Sequence, residues 1–136
     1  MRFVDTNILL DALSTATKER KKAKIAVDIL QAQDLALSVQ VLEEFYVQST
    51  RATKTDRIAH EQAALLIESY LRFPVLDTTV ALVHASLAAK ERFGISYWDA
   101  AIIEAARALS CRTVLTEDLD DRRDYDGVKV ENPFRQ

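Results

Sequence analysis

Cysteine, proline, glycine and histidine are all scarce in this chain. There is one cysteine, Cys111, so no internal disulfide can form and a disulfide-stapled scaffold is excluded. The two histidines, His60 and His84, fall inside helical segments, and Cys111 has no partner cysteine. A zinc site of Cys/His type is therefore not expected, and His84 reads as a packed structural residue. Two glycines and two prolines predict regular elements and few loops. No apolar run approaches the roughly 18–20 residues of a membrane span. The opening Met-Arg-Phe-Val-Asp lacks the basic, apolar, small-residue order of a secretion signal. A cytoplasmic protein without membrane contact is expected. The 136 residues are 49% hydrophobic and 29% charged, the balance of one folded domain over residues 1–136.

Charge is lopsided along the chain. The net value of −3 excludes a protein whose main task is to coat nucleic acid. Residues 18–24 nevertheless carry five positive charges against one negative, and residues 117–126 carry six acids against Arg122 and Arg123.

Short apolar runs alternate with amphipathic stretches. Phe3-Val4, Leu35-Ala36-Leu37-Ser38, Phe73-Pro74-Val75-Leu76, Thr113-Val114-Leu115-Thr116 and Val128-Lys129-Val130 read as strands. Helices are expected from about Ile8, around Ile25–Leu30, and over about 39–51, 55–71, 79–92 and 97–109. Ser38, Asp77 or Thr78, and Ser96 are the expected caps, and Gly94 a helix end. This alternation predicts an α/β fold: a short, mainly parallel central sheet covered on both faces. In such sheets ligands sit beyond the carboxyl ends of the strands.

Acidic residues recur at those ends. Asp5 follows the first strand, where a helix cap is the simpler role. At about 100° per residue, Val41, Leu42 and Phe45 share one helical face; Glu43 points away from it, while Glu44 falls at its edge. A carboxylate at the core boundary needs a partner, and Arg51 is the simplest one. Asp99 lies beside the buried side of its helix, among Trp98, Ile102 and Ala106, where the helix dipole also favours it. Asp118 follows the fourth strand in a turn-like Asp-Leu-Asp-Asp stretch, with Asp120 an outer helper. Four converging carboxylates raise one another's pKa values unless a cation joins them. Oxygen donors of this kind suit a hard divalent ion, Mg²⁺ or Mn²⁺.

The ordered set Phe3-Val4-Asp5-Thr6-Asn7, Ser38-Val39-Gln40-Val41-Leu42-Glu43-Glu44-Phe45-Tyr46, Ser96-Tyr97-Trp98-Asp99-Ala100-Ala101 and Thr116-Glu117-Asp118-Leu119 resembles the PIN-domain ribonucleases, more narrowly the VapC-type toxins of bacterial toxin–antitoxin pairs. The closing Tyr125-Asp126-Gly127-Val128 and Asn132-Pro133-Phe134 are similar to one branch of that family. The resemblance implies a three-layer α/β/α domain and metal-dependent endonucleolytic cleavage of RNA. It implies catalytic and metal-binding roles for Asp5, Glu44, Asp99 and Asp118, with Glu117 or Asp120 as substitutes for the last. Thr6, Asn7 and Thr116 match its accessory polar residue. A cognate antitoxin protein is the implied partner, and a homodimer is expected from the apolar content of residues 7–32 and 39–71.

Lys18, Arg20, Lys21, Lys22 and Lys24 are candidates to grip RNA phosphates, with a solvated helix start as the equal alternative. Arg51, Lys54 and Arg57 form a weaker set. Trp98 and Tyr97 can stack a base, but a core position is expected for Trp98. Two other functions fit the same residues: a PIN nuclease of housekeeping RNA processing, and a non-catalytic PIN-like module that binds RNA or protein.

Overall fold

The computed structural model describes residues 1–135. Its strands are β1 (Arg2–Val4), β2 (Leu35–Ser38), β3 (Val75–Leu76), β4 (Thr113–Leu115) and β5 (Lys129–Glu131). They form one sheet in the order β3-β2-β1-β4-β5, and every pairing between them is parallel. Strands this short hold because both sheet faces are covered. Phe3, Val4, Leu35, Leu37, Val114 and Val130 are wholly buried, each large side chain contributing about 1.5–3 kcal/mol of burial.

The helices are α1 (Thr6–Asp11), α2 (Arg20–Leu30), α3 (Val39–Ser49), α4 (His60–Tyr70), α5 (Val80–Phe93) and α6 (Tyr97–Ala108), with a 3₁₀ turn at Thr17–Glu19 ahead of α2. α1 packs on α2 and α3, and α3 on α4. α5 pairs with α6, which lies against β2 and β4. The result is the expected three-layer α/β/α arrangement. Among the described residues no helix is long and apolar enough to cross a membrane.

Two helix starts differ from the sequence reading, and β3 begins at Val75 and not at Phe73. α4 starts at His60 and not near residue 55, because the intervening loop makes its own bonds: Ile58 N–H donates to the Ser49 carbonyl at 3.0 Å and the Arg57 guanidinium to the Ala52 carbonyl at 3.1 Å. The cap of α5 is Thr79, not Asp77 or Thr78. The backbone stays extended through Thr79 (φ −120°, ψ 163°), whose hydroxyl accepts from Leu82 N–H at 3.1 Å. Gly94 ends that helix at φ 66°, a left-handed turn that a side chain would disfavour.

The topology also selects a place for chemistry. From β1 the chain moves outward to β2 and β3, then crosses to β4 on the other side of β1. The switch falls between β1 and β4, so a crevice opens at their carboxyl ends.

Candidate active site

Asp5 stands at that switch. Its N–H donates to the Leu115 carbonyl of β4 at 3.1 Å, and its carboxylate caps α1 by accepting from Thr6 N–H at 2.7 Å. The expected capping role and a position in the crevice are thus compatible. The other carboxylate oxygen accepts from the Thr116 hydroxyl at 2.9 Å. Thr116 follows β4 and is itself buried. The Asn7 amide nitrogen bridges the two sides: it lies 2.9 Å from Thr116 Oγ1, 3.0 Å from Asp118 Oδ2 and 3.4 Å from Asp5 Oδ2. Asp118 N–H closes the loop on Thr116 Oγ1 at 3.1 Å.

The other two acids arrive on helices. The Ser38 hydroxyl caps α3 at Val41 N–H, which sets the rotation of that helix and puts half-buried Glu44 on its crevice side. Glu44 makes no ion pair with Arg51. It accepts instead from the Gln40 amide, one turn earlier, at 2.9 Å. The Ser96 hydroxyl accepts from Asp99 N–H at 3.1 Å and places Asp99 in the first turn of α6.

The four predicted acids therefore meet. Asp5, Glu44, Asp99 and Asp118 line one small depression of about 80 Å³, together with Thr6, Asn7, Gln40, Gln48 and Trp98. Among the described residues no lysine or arginine lines it. Asp5 is 6% exposed. Burial, and behind it the charges of Asp118 and Glu44, push its carboxyl up to about 7 against the bonds from Thr116 and Thr6. Burial and the charge of Asp118 push Asp99 up as well. The Thr6 hydroxyl is buried among these groups without a partner.

Other residues land elsewhere. Asp120 is exposed and faces Arg123 at 3.8 Å, and it does not line the depression. Glu117 turns away from the four acids to pair with Lys22, beside Asp11, although its N–H donates to Asn7 Oδ1 at 3.3 Å. Of the basic stretch, Lys22 is held by Glu117 and Glu19 and Lys24 by Asp28, which leaves Lys18, Arg20 and Lys21 as its exposed cations without an ion pair among the described residues. Trp98 is not in the core. It is 63% exposed, because α6 buries its alanine and isoleucine face instead. His84 is exposed as well, on the outer side of α5. Gln40 and Gln48 were not singled out from the sequence; their spacing of four residues on either side of Glu44 was the available signal.

The family model of the PIN domain matches residues 2–127. The chain belongs to the PIN-domain family. Solved structures share this PIN fold. A toxin–antitoxin complex from Klebsiella pneumoniae aligns with a TM-score of 0.71 at 19% identity over 100% of both chains. FitAcB from Neisseria gonorrhoeae aligns at 0.65 and 21% identity, again over 100% of both. VapC20 of Mycobacterium tuberculosis, a Sarcin-Ricin loop cleaving toxin, aligns at 0.62 and 18% identity over 88% of this chain and 92% of its own. No curated protein matches the sequence significantly.

PIN domains imply a divalent cation, and the donor set of this one suits it. The depression offers carboxylate, amide and hydroxyl oxygens, with no sulfur, no imidazole and no built-in positive charge. In the present arrangement Glu44 is turned to Gln40 and Asp118 to Asn7, and among the described residues no three acidic, cysteine or histidine side chains stand at common ligand distance. Ligation of one ion would draw those carboxylates off their amide donors.

Proposed function

We propose that the chain is a metal-dependent endoribonuclease and the toxin of a type II toxin–antitoxin pair, acting in the cytoplasm and neutralised by a cognate antitoxin protein. One observation carries this reading: four carboxylates from four separate segments meet at the sheet's switch point with no countercharge. Mg²⁺ or Mn²⁺ held by Asp5, Glu44, Asp99 and Asp118 would activate water and offset charge building on a phosphodiester.

The chain's own residues prepare that site. Thr116 and Thr6 N–H fix the two oxygens of Asp5. Asn7 keeps Asp118 within reach of Asp5. Gln40 orients Glu44 from the preceding turn. Without a cation this surface repels a polyanion, so substrate binding and ion binding are coupled. In this reading the exposed Lys18, Arg20 and Lys21 take phosphates outside the depression.

The partner assignment rests on likeness. The Klebsiella protein is solved as a toxin–antitoxin complex, and VapBC2 from Rickettsia felis is solved bound to a fragment of its promoter DNA. This chain exposes Val27, Val47, Leu65 and Leu71 on α2 to α4, and Val80, Val83 and Leu87 along α5. Such surfaces suit an antitoxin and a second copy. The test is cleavage-site mapping on total RNA with Mg²⁺ or Mn²⁺, comparing the parent with Asp5→Asn. Cleavage by the parent alone supports the reading. No cleavage with either ion, and no thermal stabilisation by either, overturns it.

A further inference from the structure

Beside the carboxylate depression runs a second, more apolar groove of about 310 Å³. The two share Gln40, Glu44, Gln48 and Trp98, so they form one continuous surface. Trp98 is their common wall. Its indole is 63% exposed, and the Tyr97 ring meets it edge-on at 5.1 Å, which steadies its orientation. A large aromatic face left in solvent one residue before a site acid is unexplained by packing. Val47, 58% exposed, adds the other apolar side chain. Gln48 makes no side-chain hydrogen bond among the described residues, and the Gln40 amide donates only to Glu44. Arg51 lies farther along the groove, exposed and without an ion pair among the described residues.

We propose that this groove is a subsite for one unpaired nucleobase of the RNA strand, stacked on the Trp98 indole. The Gln48 amide meets the base edge, and Arg51 takes the adjoining phosphate. The assignment rests on the nuclease reading and deepens it, making the substrate single-stranded at the position next to the scissile bond. The dimensions favour a base over a protein helix. Two apolar side chains suffice for one flat ring, whereas a docked helix needs anchors over two turns or more. The groove joins the proposed cation site to the Arg51 guanidinium through the Trp98 and Val47 surface, with exposed Glu43 also on its lining.

Trp98 is the only tryptophan in the chain, so its fluorescence reports on this subsite alone. The experiment titrates Asp5→Asn with a single-stranded oligoribonucleotide and with the same sequence as a perfect duplex. In parallel, cleavage kinetics of Trp98→Ala and Trp98→Phe are measured against the parent. The expected result is quenching by the single strand and not by the duplex. Trp98→Ala should lose about 5- to 100-fold in kcat/KM, mostly through KM, and Trp98→Phe should restore most of it. An unchanged KM in a folded Trp98→Ala that still cleaves overturns the subsite and leaves the nuclease standing. Quenching of Asp5→Asn alongside a parent that cuts nothing does the reverse. Equal quenching by the duplex, or quenching only by a partner protein, also overturns the proposal.

Discussion

Two acidic clusters sit on either side of Asn7, and they are built on opposite principles. In the first, Asp5, Glu44, Asp99 and Asp118 face a depression that contains no cationic side chain. In the second, Asp11 and Glu117 close around Lys22, which Glu19 also approaches at 3.9 Å. Burial and the neighbouring Glu117 push Asp11 up. Burial opposes the charge on Glu117, yet its bonds to Asp11 and Lys22 hold it below its ordinary value. Among the described residues one buried oxygen of Asp11 has no donor, and burial beside Glu117 favours the protonated form of this carboxyl. The second cluster is thus complete in itself, with an ammonium set among its acids. The first is short of positive charge, and that shortage distinguishes a site from a structural ion cluster.

The largest break in this comparison comes from Asp5→Asn. It removes a charge from the cluster that lacks a cation, and cleavage should fall by about 10²–10³-fold or more, measured on a defined RNA with Mn²⁺. Lys22→Met, which injures only the complete cluster, should leave far more activity than Asp5→Asn in the same assay.

Next comes the pH dependence of the ion-free protein. Burial holds the folded Asp5 carboxyl up at about 7, against an ordinary value of 3.8. Over that window the folded state holds more protons than the unfolded one, so stability is greatest below the lower value and falls as pH rises towards the upper one. The loss approaches about 4 kcal/mol. Denaturation in chelator across this range should show the decline in the parent and a much flatter curve in Asp5→Asn. The gain in the variant is partial, because its new amide can no longer accept the Thr116 proton where Oδ2 did. A divalent ion should raise the parent's Tm at pH 7 and barely move the variant's. A parent curve that rises with pH would contradict the electrostatics of the depression.

Most of this contrast was legible in the letters, and the unread part has a physical reason. Strands at Phe3-Val4 and Leu35–Ser38 were readable because doubly covered parallel strands are unbroken apolar runs. Glu44 could be told from Glu43 because a helix separates adjacent residues by about 100°. Periodicity reports which face is apolar, not how much of it another element covers. That is why Trp98, on the same helix as buried Ile102 and Ile103, was assigned to the core and proves exposed. Cluster membership was harder still. Glu117 and Asp118 are neighbours in sequence, yet one joins Lys22 and the other Asn7. Lys22 comes from a segment about 95 residues away, and nothing local announces so distant a partner.

A smaller effect tests whether the second cluster is purely structural. Lys22→Met leaves Glu117 and Asp11 without their ammonium. Both ends of the Lys22–Glu117 pair are partly exposed, 29% and 22%, so the expected loss is about 1–2 kcal/mol and not the full cost of a buried orphan charge. Added Mg²⁺ should not restore the lost Tm, since the proposed ion site lies on the other side of Asn7. Recovery by Mg²⁺ would show that the two clusters share one ion, and the distinction between them would collapse.

The smallest effect separates geometry from stability. Ser96 caps the helix that carries Asp99, and Thr79 caps the preceding helix, which contributes no residue to the lining of the depression. Ser96→Ala and Thr79→Ala each remove one cap bond of equal length, 3.1 Å, and each should cost about 1 kcal/mol of stability. Their consequences for cleavage should differ. Without its cap the first turn of α6 frays, and Asp99 leaves the position that Ser96 sets. Thr79→Ala loosens only the start of α5. Paired melts and RNA cleavage assays should therefore show matched Tm losses with a rate loss for Ser96→Ala alone. Equal rates in both variants would mean that Asp99 is held by the packing of α6 on the sheet, and that its cap is dispensable to the site.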